Sequence, residues 1–194
     1  MKQRIRHLLS VLLVCAMVLS LLPVSVFATG GSGSGLTADD PMVVPTEGMV
    51  IKNGVYYGIS KEWFKTHNPT QVTMYFSLSV PNNVTTIASD GFRDSYSSEK
   101  TSNGAVTYND NLGRYNVVAI DFSDATSLTT IKSQAAMGCS NLSGVLDLSN
   151  TKVETIGKNA FKECTGLTGV ILPQTLESIG SDKAGSVFYG CIRL

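Results

Sequence analysis

The residues of this 194-residue chain most apt for thiol, acid–base or metal chemistry are its four cysteines, two histidines and fifteen carboxylates. Cys15 and His7 fall in an N-terminal leader, which leaves Cys139, Cys164, Cys191 and His67. A cysteine–histidine hydrolase needs a base beside its nucleophile, whereas His67 stands just before Asn68-Pro69 and reads as a solvated helix-end residue. The three cysteines lie 25 and 27 residues apart. That spacing lacks the close Cys-x-x-Cys pairs that fix a zinc site. An odd number of thiols at like positions favours buried, stacked sulfur over disulfides, and leaves one bridge between neighbouring copies open. No Gly-x-Ser-x-Gly, Gly-x-x-x-x-Gly-Lys or His-Glu-x-x-His occurs, so the corresponding mechanisms have no carrier. The expectation is no catalytic residue, no cofactor and no resident metal.

The leader is residues 1–28. Lys2, Arg4 and Arg6 precede the apolar run Leu8–Leu22, and Val26-Phe27-Ala28 closes the segment. Charged, apolar and small-x-small regions in that order read as an export signal cut after Ala28. A lasting membrane anchor is the competing reading, since the run approaches ~18 apolar residues. Pro23 and small residues come after it, however, where an anchor would carry a charged stop. Cys15 is preceded by Val14 and lacks the small residue that a lipoprotein site wants before its cysteine. Loss of the leader removes three basic and no acidic residues, so net charge falls from 0 to −3. Such a chain has no electrostatic basis for nucleic acid or anionic membranes, which need clustered Lys and Arg.

Residues 29–41 contain Gly-Gly-Ser-Gly-Ser-Gly, a flexible linker. Residues 42–75 read as an N-terminal cap. Asn53-Gly54 between two apolar stretches signals a hairpin, because both residues tolerate positive φ. Ser60 caps a short helix through Trp63 and Phe64, whose rings are expected to cover the open end of the first repeat.

Residues 76–194 carry a recurring phrase. Val153-Glu-Thr-Ile-Gly-Lys-Asn-Ala-Phe161-Lys-Glu-Cys164-Thr-Gly-Leu167 is echoed by Leu176-Glu-Ser-Ile-Gly180 with Val187-Phe188-Tyr-Gly-Cys191. Leu128-Thr-Thr-Ile131 with Ala135-Ala-Met-Gly-Cys139 precedes it, and Val84-Thr-Thr-Ile87 with Gly91-Phe92 is a diverged first copy. About four units stack into an α/β solenoid: a parallel strand ladder, a second inward pair such as Val153 and Ile156, then a short helical turn on the convex side. Residues 93–117 interrupt the pattern, and Ala105–Tyr108 with Arg114–Val118 are expected to pair as a hairpin around Asn-Asp-Asn-Leu-Gly. Tyr96, Tyr108 and Tyr115 there are either contact residues or packing groups. The sequence stops at Leu194, the first residue of another unit, so the natural polypeptide is expected to continue.

Stacking gives the carboxylates their meaning. With Ile120 and Phe122 inward, and Leu146 and Leu148 likewise, Asp121 and Asp147 project from neighbouring strands on the concave side. Ser79 stands before them and Ile171 after. Carboxylates roughly 5 Å apart repel, and a Ca²⁺ ion with Ser149 or Asn150 would suit them. Simple solvation is the favoured reading. A glycosidase pair also needs a cleft and one raised pKa, which nothing in the sequence indicates. Ser79, Asp121, Asp147 and Ile171 are therefore candidate ligand-binding positions.

The phrase Ile-Gly-x-x-Ala-Phe-x-x-Cys-x-x-Leu-x-x-Val-x-Leu-Pro, from Ile156 to Pro173, resembles the BspA-like leucine-rich repeats of bacterial surface proteins. Ala88 and Lys132 depart from it where Gly is the rule. The resemblance implies a secreted or cell-surface adhesion module, monomeric, that takes a protein or glycan ligand on host or neighbouring cells. A positioning or spacer arm for a catalytic or wall-attachment domain beyond Leu194 is the alternative.

Overall fold

The computed structural model describes residues 37–67, 74–101, 104–108, 112–180 and 186–194. The expected leader and residues 29–36 of the linker lie outside them. The chain runs β1 (Met42–Val44), β2 (Met49–Lys52), β3 (Val55–Ser60), α1 (Lys61–His67), β4 (Phe76–Ser79), β5 (Thr86–Ile87), β6 (Ser95–Thr101) and β7 (Gly104–Tyr108). It continues with α2 (Leu112–Asn116), β8 (Val117–Asp121), β9 (Thr130–Ile131), β10 (Ser143–Asp147), β11 (Thr155–Ile156), β12 (Gly166–Ile171) and β13 (Ser178–Ile179).

Two parallel ladders and a column of turns form the coil. In the first ladder β1 pairs β4 and β4 pairs β8, which stacks Val44, Leu78 and Ile120 in one buried column. β10 pairs β12 in the same manner, with Leu146 opposite Val170. In the second ladder β5, β9, β11 and β13 are two residues each, and Ile87, Ile131, Ile156 and Ile179 lie in register. The first three of these isoleucines are fully buried. Burial contributes about 1.5–3 kcal/mol for each such side chain, yet none of these short strands could bury its isoleucine without the rungs on either side.

The first ladder is not continuous. β8 and β10 belong to separate sheets. Gly144 takes φ 78° at this point, and a bulge at Gly144/Val145 shifts the register of β10. What joins the two pieces here is a side-chain bond, Ser143 Oγ donating to the Val118 carbonyl at 3.4 Å.

The third side of the coil also differs from expectation, since its segments are stacked turns instead of helical ones. Met137 N–H donates to Gln134 O and Cys139 N–H to Ala136 O, three residues back. The alternate amides of Gln134, Ala136 and Gly138 donate across to Lys158, Ala160 and Lys162 of the next rung. Amides committed to a neighbouring rung have no i−4 partner, so a helix cannot propagate there.

Asn53 and Gly54 take φ 51° and 75° between antiparallel β2 and β3, the turn that this dipeptide favours. β3 then joins the second ladder, Tyr56 lying opposite Ile87. Ser60 Oγ accepts from Trp63 N–H at 3.2 Å and so caps α1. The rings of Trp63 and Phe64 meet Phe76 edge-on at 6.5 and 5.8 Å.

The insertion contains a hairpin, but its strands are β6 and β7, and Leu112–Asn116 is helical. Ala105–Tyr108 is a strand as expected; its partner precedes it in sequence. Asn103-Gly104 is a stronger hairpin signal than Asn-Asp-Asn-Leu-Gly, and the polar run Ser95–Thr101 hides its strand character by lacking apolar alternation. At Gly113 in α2 a Cβ would stand 2.0 Å from the Phe92 carbonyl oxygen, so only glycine lets the helix pass there.

Candidate binding surface

Strand alternation turns Ser79 and Asp121 outward, in register on β4 and β8. It turns Asp147 and Ile171 outward in the same way on β10 and β12. The four expected positions therefore come together as two pairs, one in each piece of the first ladder. Ser79 and Asp147 are exposed, Asp121 is half-buried and Ile171 is 47% exposed.

Both carboxylates are tied to their own turns. Asp121 Oδ1 accepts from Ser123 N–H at 2.8 Å, and its Oδ2 accepts from Ser79 Oγ at 3.3 Å. Asp147 Oδ1 accepts from Ser149 N–H at 2.9 Å on an otherwise exposed side chain. The repeated Asp-x-Ser thus makes an Asx turn that ends the strand. Neither carboxylate has a Lys or Arg partner among the described residues. No three His, Cys, Asp or Glu side chains converge on a metal-sized space among the described residues. Beside the acidic positions, Val43, Ser77 and Ala119 share one register row, and Val145 stands opposite Gly169, with Val43 and Val145 exposed. The face offers carboxylate and small apolar surface side by side.

The three thiols are core groups. Cys139, Cys164 and Cys191 are free and buried. Their Sγ–H groups donate to the carbonyls of Phe92, Ala136 and Phe161 at 3.5, 3.1 and 3.1 Å, each on the preceding rung. Burial pushes the Cys164 thiol up to about 12, reinforced by Cys191, and raises Cys139 and Cys191 as well. None is poised as a nucleophile. His67 is exposed, its ring stacked on Trp63 at 4.3 Å and Nδ1 2.8 Å from the Trp63 carbonyl. Tyr96 is buried against Tyr57 at 4.9 Å and accepts Lys52 Nζ over its ring, which is a packing role. The side chains of Tyr108 and Tyr115 lie outside the described residues.

A second aligned row is not among the expected positions. Thr86, Thr130, Thr155 and Ser178 lie in register on the short strands of the second ladder. Its signal in the sequence is a hydroxyl residue before each inward isoleucine.

The family model for the BspA type leucine-rich-repeat region matches residues 59–194 in six copies. The chain belongs to this family. Comparison with curated proteins and with solved structures gives no match. BspA-type repeats are commonly surface adhesion or binding modules and a scaffold that is generally not catalytic. No helix among the described residues is long and apolar enough to cross a membrane.

Proposed function

We propose that this BspA-type chain is an extracellular binding module, held at or released from the cell surface, that recognises a macromolecule through the outward face of its first ladder. The observation that carries this reading is the pairing of Asp121 with Ser79 and of Asp147 with Ile171, outward on stacked strands, with no protein cation on either carboxylate among the described residues. A strand backbone held by its paired neighbour presents these groups at little entropic cost. Carboxylates beside Val43, Ala119 and Val145 complement a protein surface that carries Lys or Arg around an apolar contact. The chain's own chemistry then consists of recognition, without bond making.

The test is titration of the full chain against fibronectin, fibrinogen and a glycan panel, and then of the Asp121→Asn, Asp147→Asn variant. Saturable binding to at least one protein ligand is expected, weakened about tenfold, or ~1.4 kcal/mol, by the double substitution. Absence of saturable binding counts against the reading. Binding that ignores both aspartates favours a spacer or positioning arm, which would not register their loss.

A further inference from the structure

The second ladder has an outward surface of its own. Its strands contribute Thr130, Thr155 and Ser178, while Ile131 and Ile156 point into the core. As the chain leaves these strands, Ser89, Ser133 and Lys158 take equivalent places in successive rungs, and Lys132 stands one residue earlier in its own rung. Together they line a groove of about 310 Å³. Gly157 forms part of its wall, where a Cβ would stand 2.3 Å from the Ser133 amide nitrogen, so glycine is what lets the two rungs close at this point.

The composition of this groove differs from that of the first face. Its side-chain polar groups are hydroxyls and two ammonium groups, and no carboxylate lines it. Neither Lys132 nor Lys158 has an ion-pair partner among the described residues, and the lining hydroxyls have no hydrogen-bond partner there. Two unneutralised cations side by side attract an anion. Hydroxyls that both donate and accept, repeated on rungs about 4.8 Å apart, suit a polymer that is itself rich in hydroxyls. The four rungs span roughly 14 Å, three such spacings. Both isoleucines are buried, so the exposed side chains of the groove are Thr, Ser and Lys.

We infer that this groove binds an acidic polysaccharide, with Lys132 and Lys158 on its acid groups and Thr130, Thr155 and Ser178 on its sugar hydroxyls. The inference deepens the binding reading above by adding a ligand class. It lies on a different ladder from Asp121 and Asp147, so each site can fail alone.

The experiment is calorimetric titration of the full chain with a heparin oligosaccharide, a polygalacturonate oligosaccharide, neutral dextran and poly-glutamate. At least one acidic glycan is expected to bind saturably, at least tenfold more tightly than dextran and more weakly as salt is raised. The two acidic glycans separate sulfate from carboxylate as the favoured acid group. Lys132→Gln with Lys158→Gln is expected to lose at least tenfold. Thr155→Val, which removes a hydroxyl and leaves charge untouched, is expected to lose about threefold. Lys152→Gln is expected to bind glycan as the parent does. The inference is overturned if neither acidic glycan binds or if the lysine variant matches the parent. It is also overturned if poly-glutamate binds as tightly as the glycan while Thr155→Val has no effect, which is simple ion exchange.

Discussion

The Cys164 thiol donates to the Ala136 carbonyl at 3.1 Å, one rung earlier in the coil. The same carbonyl accepts from Cys139 N–H, so the sulfur is a second donor to it and ties one rung to the next. Loss of one of two donors costs at most about 1 kcal/mol, and loss of the sulfur leaves a small void. Cys164→Ala is therefore expected to lower stability by roughly 1–2 kcal/mol. In urea this reads as a lower midpoint with an unchanged slope.

The same burial makes the protein sensitive to alkali. With thiols raised in the folded chain, their protons are held in both states below the ordinary value of 9.0, and stability is complete there. As pH climbs further the unfolded chain releases thiol protons first. The folded chain keeps that of Cys164 until about 12. Stability should fall across this window by up to ~1.4 kcal/mol per pH unit for each thiol. Denaturant midpoints measured from pH 8 to 11 check this, and replacing Cys139 or Cys164 by Ala should flatten the decline.

Glu163 takes φ 61° at the place where the neighbouring rungs carry Gly138 and Gly190, with φ 75° and 79°. A left-handed conformation costs a side-chain-bearing residue roughly 1–2 kcal/mol. The contact of Glu163 with Lys162 at 3.3 Å is half-exposed and contributes little against that. Glu163→Gly is expected to stabilise the chain by about 0.5–1 kcal/mol after the entropy of glycine is subtracted. Thermal melting of the variant checks it.

Tyr56 is buried at the second ladder beside Phe92, ring centroids 5.1 Å apart, and its hydroxyl finds no hydrogen-bond partner among the described residues. Burial holds that hydroxyl protonated far above its usual range, reinforced by Cys139. Removing an unsatisfied polar group of this kind leaves the ring packing intact. Tyr56→Phe is expected to raise stability by about 1–2 kcal/mol, read from the urea midpoint.

The rungs were legible because each needs the same small set of buried residues. Ile131 and Ile156, and Cys139 and Cys164, fall where the recurring phrase puts them, whereas Asp121 and Asp147, expected on neighbouring strands, stand on β8 and β10 of separate sheets. The interruption between β8 and β10 was hidden, since a positive φ at Gly144 is a backbone state that alternation does not report. Turns in place of helices were hidden for a related reason: whether the amides of Gln134, Ala136 and Gly138 point along the chain or across it depends on a neighbouring rung. The insertion misled because Ser95–Thr101 forms a strand from polar residues. Lys132 marked a departure from glycine in the phrase, yet its meaning needed Lys158 beside it in space.

The thiols of Cys139, Cys164 and Cys191 mark three successive rungs of the coil, and mass spectrometry after brief alkylation at pH 8 tests their stacking most directly. Cys139 and Cys164 should remain unlabelled in the folded chain, with Cys191, the least buried of the three, the first to react as denaturant is added. All three should label once the chain is unfolded, with no bridged pair recovered. Rapid labelling of Cys139 and Cys164 under native conditions, or a disulfide between them, would contradict the stacking from which both proposed binding faces are built.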